Sequence, residues 1–346
     1  MKSIDLRSDT VTLPTQEMLH AILKAPLGDD VYQEDPTINK LEELTARKVG
    51  KEKALLVTSG TQANLVSTLA QTTRGDAIIL EATAHMYLFE VGGISTIAGL
   101  LPKTIPGSMG VLDPKTVERT IRAKNIHNAE PTLIAIENTH NMAGGTCWRP
   151  SQIKAIREVA EAHGMRVHMD GARVFNAAIA LNVDVKELTR HVDSMMLCIS
   201  KGLSAPIGSL VVGDEEFIER ARKWRKMLGG GMRQAGVIAA PGIIAIEKMV
   251  DRLKEDHENA RRLAEGLAKI HGISINLQTV QTNIVRYNIA GLDIDTERFV
   301  SKLAEYGIKT RGSGKDVRMV THRMVSREDI DYTLRIIEKV AKNTRN

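Results

Sequence analysis

The stretch SMMLCISKGLSAPIGSLVVGD (residues 194–214) contains two short apolar runs, SMMLCIS and GSLVVGD, and a single lysine, Lys201, that follows the first run. Short apolar runs bounded by glycine and proline are typical of buried strands. A lysine at the end of such a strand has two interpretations. It is either a surface lysine whose stem lies along apolar side chains, or a partly desolvated amine that acts as a nucleophile.

Similar apolar runs alternate with helical patterns between about residue 50 and about residue 250. Predicted strands cover KALLVT, DAIILEA, TLIAIEN and RVHMD as well as the two runs above, and predicted helices cover residues 61–72, 151–163 and 215–228. This alternation indicates an α/β fold with a mostly parallel sheet that is buried on both faces. In such a sheet, ligands bind beyond the carboxyl ends of the strands, where Lys201 is expected.

A smaller unit is predicted at the C-terminal end. A helical pattern runs from about residue 234 to residue 270, and Pro241 and Gly242 predict a break or kink near its start. Strands at TNIVRYNI and DVRMVTH and helices at residues 296–306 and from residue 326 then predict a small α+β domain. We therefore expect a large domain over residues 1–250, including the N-terminal segment, and a small domain over residues 251–346.

Composition limits the class of protein. The 346 residues are 42% apolar, 26% charged and 3% aromatic, with 47 basic and 42 acidic residues, which is typical of a soluble globular protein. The basic run ERARKWRK (residues 219–226) has no interleaved aromatic groove, so nucleic-acid binding is a weak interpretation. Cys147 and Cys198 lack disulfide or zinc spacing, the first residues are too polar for a signal peptide, and no apolar run is long enough to span a bilayer. We therefore expect a cytoplasmic protein with no membrane or nucleic-acid partner.

Polar residues follow several of the predicted strands. In VTSGTQANL, Ser59, Gly60 and Thr61 lie between a strand and a helix, where backbone N–H groups form an anion site; a plain helix cap is the alternative. In VHMDGARVFNA, Asp170 ends a strand and Arg173 follows it. The carboxylate can hold a protonated ring nitrogen and the guanidinium a substrate carboxylate, whereas an Asp–Arg pair or a cap is the alternative.

Two further residues extend this set. His85 follows the strand DAIILEA, where an imidazole can stack on a flat cofactor, although a lone histidine is more often structural. Arg233 follows the triple glycine of MLGGGMRQAG and suits phosphate binding, with helix-stop glycines as the alternative. With Lys201, these residues supply a phosphate site, a stacking ring, an acid for a ring nitrogen, an amine for an imine and an arginine for a carboxylate. Pyridoxal 5′-phosphate (PLP) needs all five.

The chain resembles the low-specificity L-threonine aldolases, which are fold-type I PLP enzymes related to the β-eliminating lyases. The resemblance extends over nearly the whole chain and rests on the order and spacing of eight motifs: IDLRSDTVT, GDDVYQEDPT, SGTQAN, AIENTHN, DGARVFNA, SKGLSAPIGS, KMLGGGMRQAG and RMVTH. Two features depart from the usual pattern. Gln33 stands where a glycine is common, and MAGGTCW after ENTHN is atypical; we expect both to affect substrate fit rather than the core chemistry.

The resemblance implies a role for each candidate residue. Lys201 would bind PLP covalently as an internal aldimine, Asp170 would pair with the pyridine nitrogen, and His85 would stack on the ring. The other implied ligands are Ser59, Gly60, Thr61 and Arg233 for the phosphate, Ser8, Arg173 and Arg318 for the substrate carboxylate, and Tyr32 and Lys226 to complete the site across an interface. The family is typically a homotetramer with sites at subunit interfaces, and no metal is expected in the site.

The implied reaction is cleavage of L-threonine, L-allo-threonine or another β-hydroxy-α-amino acid to glycine and an aldehyde, such as acetaldehyde. A base must take the β-hydroxyl proton, and His85, His127 and a bound water are the candidates. A PLP-dependent β-eliminating lyase or an aminotransferase is the alternative on the same fold. A non-catalytic protein that binds polyanions through residues 219–226 is the alternative from a different class.

Overall fold

The computed structural model describes residues 3–121 and 125–343. The strands in these residues are β1 (Ile4–Asp5), β2 (Lys53–Val57), β3 (Ala77–Glu81), β4 (Leu101–Ile105), β5 (Pro131–Glu137), β6 (Arg166–Asp170), β7 (Ser194–Cys198), β8 (Ser209–Gly213), β9 (Ile284–Asn288), β10 (Ile308–Lys309), β11 (Arg311–Ser313) and β12 (Asp316–Val320). The helices are α1 (Gln16–Lys24), α2 (Pro36–Val49), α3 (Gly60–Gln71), α4 (His85–Leu88), α5 (Gly93–Thr96), α6 (Pro114–Thr120), α7 (Pro150–Ala162), α8 (Val174–Leu181), α9 (Val185–Thr189), α10 (Glu215–Met227), α11 (Gly236–Lys248), α12 (Leu253–Leu267), α13 (Thr296–Glu305) and α14 (Arg327–Asn343).

The largest sheet in the described residues has seven strands in the order β2-β8-β7-β6-β5-β3-β4. Strand β8 runs antiparallel to both of its neighbours, and the other pairs are parallel. The six strands predicted between residues 50 and 250 are present, and the prediction of a mostly parallel sheet is confirmed. The edge strand β4 was missed because its sequence, LPKTI, is largely solvent-accessible and contains Pro102, which a sheet tolerates at an edge.

Helices cover both faces of this sheet. Successive side chains of a strand point to opposite faces, and in β2 this alternation divides two cores. Leu56 packs in the core formed with α2, α7 and α11, whereas Leu55 and Val57 pack in the core formed with α3 and α10. The continuous apolar runs of the sequence are therefore explained by burial on both sides.

The helical pattern over residues 234–270 is two helices, α11 and α12, separated by residues 249–252. The break predicted at Pro241 and Gly242 is wrong, because α11 continues through both residues, and a kink there stays a prediction. Pro241 is the sixth residue of α11, where its missing N–H removes the hydrogen bond to the carbonyl of Val237, a residue that is partly exposed to solvent. The break lies instead between α11 and α12, near the point where packing passes from one core to another. Met249 packs in the core that contains α2, α7 and α11, whereas Ala260 packs in the core of the C-terminal unit.

The core of the C-terminal unit lies between α12, α13, α14 and the three-stranded sheet β11-β12-β9. It also contains Ile4 and Leu6, because β1 pairs in parallel with β10. The apolar side chains of Ile4 and Leu6 thus pack on the C-terminal unit, while the assignment of the N-terminal segment to the large domain stays a prediction. The domain boundary near residue 250 remains a prediction. Within the described residues, none of the helices combines the length and the apolar character needed to cross a membrane.

Candidate active site

The carboxyl ends of the parallel strands gather polar residues at one edge of the sheet. Strand β5 ends at Glu137 and β6 ends at Asp170, while β7 leads within three residues to Lys201. At the far side of the same edge, β2 leads into Gly60 at the start of α3. The strand order therefore brings three of the predicted site residues to the edge where parallel sheets bind ligands.

A cleft of about 600 Å³ opens at this edge, between the ends of the strands and the sheet of the C-terminal unit. Five of the predicted site residues line it: Ser8, His85, Arg173, Lys201 and Arg318. A larger cleft of about 1060 Å³ lies elsewhere, around residues 106–114 and 146–155, and none of the predicted residues is among the described residues that line it. Chemistry rather than size therefore selects the smaller cleft as the candidate site.

Lys201 lies on the connection between β7 and β8, and its main chain is fixed from two sides. The Thr12 hydroxyl donates to the Lys201 carbonyl at 2.8 Å, and the Ser204 N–H donates to the same carbonyl at 2.9 Å. The residue is half-buried and lines the cleft. Its position favours the interpretation of a nucleophilic amine over that of a surface lysine.

Asp170 is a buried carboxylate, 3% exposed, at the last position of β6. Its Oδ1 accepts a hydrogen bond from the Ala172 N–H at 3.0 Å, and its Oδ2 accepts one from Asn64 Nδ2 at 2.9 Å. Neither bond comes from Arg173, so the predicted alternative of an Asp170–Arg173 pair is wrong. A carboxylate held in this way retains lone pairs that can accept a hydrogen bond from a ligand.

His85 is the first residue of the short helix α4, and its ring is fixed by Glu90. Its Nδ1 lies 2.8 Å from Oε1 of Glu90, which is itself buried, and its main-chain N–H donates to Glu137 at 2.7 Å. Burial opposes protonation of this imidazole, but the hydrogen bond to Glu90 and the negative charges of Asp170, Glu90 and Glu137 outweigh it. The pKa of His85 is consequently raised.

Arg173 does not extend its guanidinium fork freely into the cleft. Its Nε and Nη2 each donate to a carboxylate oxygen of Asp9 at 2.7 Å, and both side chains are buried. Burial alone would raise the pKa of Asp9, but Arg173, Lys201 and a hydrogen bond from Asn283 hold it well below its usual value. Sequence reasoning missed Asp9, although it follows Ser8 directly within the quoted motif IDLRSDTVT.

Arg318, on β12, forms no ion pair with a carboxylate among the residues that the structure describes. Its Nη1 donates to the Arg7 carbonyl at 3.1 Å and its Nη2 to Oδ1 of Asn141 at 2.9 Å, while its Nε is buried without a partner among the described residues. Burial, followed by repulsion from the neighbouring arginines 173, 286 and 311, lowers the pKa of Arg318 to about 10. A desolvated guanidinium without a carboxylate partner suits an anionic ligand.

The start of α3 matches both interpretations of the SGT sequence. Ser59 is the N-cap, because its Oγ accepts a hydrogen bond from the Gln62 N–H at 3.2 Å. A Cβ on Gly60 would lie 2.9 Å from Cε of Met196 and 3.0 Å from Sγ of Cys198, so a glycine is needed for the helix to approach β7. The adjacent Thr61 is exposed. A twelve-residue helix that starts at the sheet edge presents its N-terminal N–H groups there, and phosphate binding by them stays a prediction.

Arg233, Tyr32 and Lys226 lie outside the described lining of the cleft. Asp29 connects Arg233 and Tyr32, because its carboxylate accepts hydrogen bonds from Arg233 Nη1 at 3.0 Å and from the Tyr32 N–H at 3.3 Å. The side chains of Arg233 and Tyr32 are 59% and 71% exposed, and Lys226 is exposed near the end of α10. Their predicted roles in the site remain predictions that need a second subunit.

His127 lies four residues before the first residue of β5, on an exposed turn. The seven residues of β5 separate it from the carboxyl edge by roughly 20 Å, at about 3.3 Å per residue. Within one chain, the structure therefore places His85 at the cleft and His127 at the opposite edge of the sheet.

His85, Glu90 and Asp170 are close enough to raise the question of a metal site. One ligand atom from each lies within 4.8 Å of the others. The amide of Asn64 already donates to both carboxylates, and Glu90 also binds the imidazole. Asn64 and Glu90 are further site residues that sequence reasoning missed; Asn64 is the last residue of the quoted motif SGTQAN.

The basic run over residues 219–226 is largely used within the chain. Arg225 is buried and donates to Asp30 and to the Leu56 carbonyl. Arg220 pairs with Glu216, and Arg222 lies 3.5 Å from Glu42. A helix whose arginines have internal partners offers little charge to a polyanion, so the alternative of a polyanion-binding protein has no support in the structure.

The fold matches solved structures along nearly its full length. A threonine aldolase of Leishmania major superposes with a TM-score of 0.84 at 17% identity, covering 98% of this chain and 99% of that one. A serine palmitoyltransferase of Sphingomonas wittichii superposes with a TM-score of 0.77 at 17% identity, covering 99% of this chain and 88% of that one. The protein therefore has the fold-type I architecture of PLP enzymes, and the predicted fold class is confirmed.

Sequence comparison identifies the family. The sequence model described as "Beta-eliminating lyase" matches residues 5–290. Low-specificity L-threonine aldolase 1 of Arabidopsis thaliana is 43% identical over 340 residues, covering 96% of this chain and 95% of that protein. The low specificity L-threonine aldolase of Escherichia coli K12 is 42% identical over 332 residues, covering 94% and 96%. The chain belongs to the beta-eliminating lyase family, among its low-specificity L-threonine aldolases, and the predicted resemblance is confirmed.

Proposed function

We propose that the protein is a PLP-dependent threonine aldolase that cleaves L-threonine, L-allo-threonine and other β-hydroxy-α-amino acids to glycine and an aldehyde. One observation carries the proposal: a single cleft holds the amine of Lys201, the His85 imidazole and the guanidinium of Arg318. The similarity to enzymes that bear the threonine aldolase name along nearly the full chain supports it.

The residues at the cleft fit PLP by their chemistry. Lys201 provides the amine that binds the cofactor's carbonyl carbon, Asp170 the buried carboxylate for the ring nitrogen, and His85 the imidazole beside the ring. The N-terminus of α3 at Gly60 provides backbone donors for the phosphate, and Arg233 would add a guanidinium from a neighbouring subunit. When bound, PLP supplies an electron sink for the bond that breaks at Cα of the amino acid.

Arg318 and Ser8 would bind the substrate carboxylate. Because Asn141 and the Arg7 carbonyl hold two nitrogens of the Arg318 guanidinium, the group is oriented before substrate binds. Fixing the carboxylate fixes rotation about the N–Cα bond, and this rotation decides which bond at Cα is cleaved. Arg173 takes a secondary part, since Asp9 occupies two of its nitrogens and leaves Nη1 for a ligand.

His85 is the base that this chain best supports. When Nδ1–H donates a hydrogen bond to Glu90, the lone pair of the neutral imidazole lies on Nε2, which can take the proton of the substrate's β-hydroxyl group. Because the pKa of His85 is raised, this neutral form is reached at a higher pH than in an ordinary histidine. His127 could take part only from another subunit, and a bound water is the third candidate.

A product assay separates this function from its alternatives. The purified protein is incubated with PLP and L-threonine, and glycine and acetaldehyde are quantified together with keto acids. Equal amounts of glycine and acetaldehyde are expected, and they should disappear in Lys201→Ala. Keto acid without aldehyde would instead indicate a β-eliminating lyase or an aminotransferase on the same fold.

We also propose an oligomeric state and a cellular compartment for the enzyme. Apolar side chains are exposed along α1 and after α4, including Leu23 at 83%, Phe89 at 49% and Val91 at 95%. Patches of this kind support the expectation of a homotetramer with sites at subunit interfaces. The two cysteines are free and buried, which fits a reducing cytoplasm, where the reaction would serve threonine catabolism and glycine biosynthesis. Light scattering of the purified protein gives the oligomeric state directly.

A further inference from the structure

Four side chains form a hydrogen-bonded row behind the cleft, and we call this row the donor chain. Gln71 Nε2 donates to Ser194 Oγ at 2.8 Å, and Ser194 Oγ lies 2.8 Å from His168 Nδ1. His168 Nε2 lies 3.2 Å from Oδ1 of Asn64. Ser194, His168 and Asn64 are each at most 1% exposed, so these contacts are made without competition from water.

The elements of the fold align the donor chain. Gln71 and Asn64 are seven residues apart on α3 and therefore lie on the same face of that helix. His168 on β6 and Ser194 on β7 are partners in the register of the sheet. The chain runs from the helix into the sheet and returns to the helix at Asn64, next to Asp170.

The direction of every hydrogen bond in the donor chain follows from its end. Asn64 Nδ2 donates to Oε1 of Glu90 at 2.8 Å and to Oδ2 of Asp170 at 2.9 Å. If the amide were flipped, its oxygen would face two carboxylates, which is unfavourable. The Asn64 oxygen therefore faces His168, whose Nε2 must carry the proton.

The remaining bonds then have one consistent arrangement. His168 Nδ1 accepts from the hydroxyl of Ser194, which in turn accepts from Gln71. This requires a neutral imidazole, and burial lowers the pKa of His168 to about 4. Each donor points toward the carboxylates, and aligned hydrogen bonds polarise one another in a buried environment.

We propose that the donor chain is a positioning element, in which Asn64 holds the carboxylates of Asp170 and Glu90 side by side and thereby fixes both the acid for the cofactor's ring nitrogen and the tautomer of His85. The inference rests on the proposed use of PLP. Asn64 is the shared donor between two carboxylates that would otherwise repel each other in a buried site. Glu90, held in this position, accepts a hydrogen bond from the Nδ1–H of His85.

The test compares three variants by two measurements. Asn64→Leu removes the shared donor at similar volume, and Ser194→Ala interrupts the donor chain remotely. Thr68→Val is the matched control, because Thr68 is equally buried on α3 but its hydroxyl donates to the Asn64 main-chain carbonyl rather than to the chain of side chains. The measurements are the PLP dissociation constant by fluorescence titration and the ¹³C shifts of His85, which report its tautomer, in protein stripped of PLP.

The expected results differ among the variants. Asn64→Leu should weaken PLP binding by roughly tenfold or more and give a mixture of His85 tautomers, since a buried polar group then loses its partner. Ser194→Ala should weaken binding by about two- to fivefold, within the range for loss of one neutral hydrogen bond. Thr68→Val should match the parent protein in the His85 tautomer and should bind PLP within about twofold of it.

The outcomes separate this inference from the proposed function. If Asn64→Leu keeps the parental PLP affinity and a single His85 tautomer, the inference is wrong. If Asn64→Leu does not fold, Ser194→Ala decides the matter, and equality with Thr68→Val in both measurements overturns the inference. If the parent protein itself does not bind PLP, the proposed function fails, while the His85 shifts of the stripped protein still test the donor chain.

Discussion

Both carboxylate oxygens of Asp9 accept hydrogen bonds from the guanidinium of Arg173, at 2.7 Å each, in a site where neither side chain is appreciably exposed. Asn283, from the C-terminal unit, also donates to Asp9 at 3.1 Å. Asp9 therefore connects the N-terminal segment, the helix after β6 and the second sheet at the wall of the cleft.

Removal of this carboxylate should be costly for stability. In Asp9→Asn the guanidinium of Arg173 stays buried without its counter-ion, and breaking a buried pair in this way costs about 3–5 kcal/mol. Urea denaturation followed by circular dichroism measures the change. Asp29→Asn, which removes the partner of the exposed Arg233, is the control and should leave the transition in place. Equal transitions for both variants would contradict the prediction.

Loss of the Arg318 guanidinium, which forms no ion pair among the described residues, should weaken substrate binding. Arg318→Leu removes hydrogen bonds to a charged substrate carboxylate, so KM for L-threonine should rise roughly 10- to 100-fold. The PLP dissociation constant should stay close to that of the parent, because the proposal assigns Arg318 to the substrate carboxylate and not to the cofactor's ring or phosphate. Arg298→Leu is the control, since Arg298 is exposed on α13 and is not among the described residues that line the cleft. A KM unchanged by Arg318→Leu would rule out its role as the carboxylate ligand.

The pH profile should depend on Glu90. The neutral form of His85 is the base, and its raised pKa places the acidic limb of kcat/KM above the ordinary range of histidine. Glu90→Gln removes a negative charge that favours the imidazolium, so the pKa of His85 falls and the acidic limb should move to lower pH. The profile is measured with saturating PLP. His127→Asn serves as the control, and a shift in His127→Asn rather than in Glu90→Gln would assign the base to His127.

Gln33 offers a prediction about stability. Gln33 has a φ of 59°, in the left-handed region that glycine adopts without strain. Gln33→Gly should raise the free energy of unfolding by about 0.5–1 kcal/mol. Glu34→Gly, at the exposed neighbouring position with ordinary backbone geometry, should lower it. This test concerns the backbone conformation of Gln33, and an effect of Gln33 on substrate fit remains a prediction.

The strands of the main sheet were predictable because burial on both faces leaves uninterrupted apolar runs such as AIILE and SMMLC. The same logic failed at β4, whose side chains are largely accessible, and at the two-residue strands β1 and β10, which are too short to carry a pattern. Pro241 misled the prediction of the helix break, because α11 continues through it with the loss of the single hydrogen bond to the carbonyl of Val237.

The site was predictable where chemistry follows a strand end in sequence. Lys201 and Asp170 are of this kind. Asp9 and Arg173 are 164 residues apart, and Asn64 and Asp170 are 106 apart, so their contacts arise only from the folded arrangement. Local sequence patterns do not encode such pairings, although Asp9 and Asn64 both lie inside motifs that carry the resemblance.

One short segment at the start of the chain contacts residues of both units beside the cleft. Ile4 and Leu6 pack in the C-terminal core, Asp9 binds both Arg173 and Asn283, and Thr12 holds the carbonyl of Lys201. A segment with these contacts resists separation of the seven-stranded sheet from the three-stranded sheet β11-β12-β9. We therefore expect amino acids to enter and leave by movement of side chains, while the width of the cleft stays nearly constant. Small-angle X-ray scattering curves of the protein with and without a bound amino acid should then superimpose.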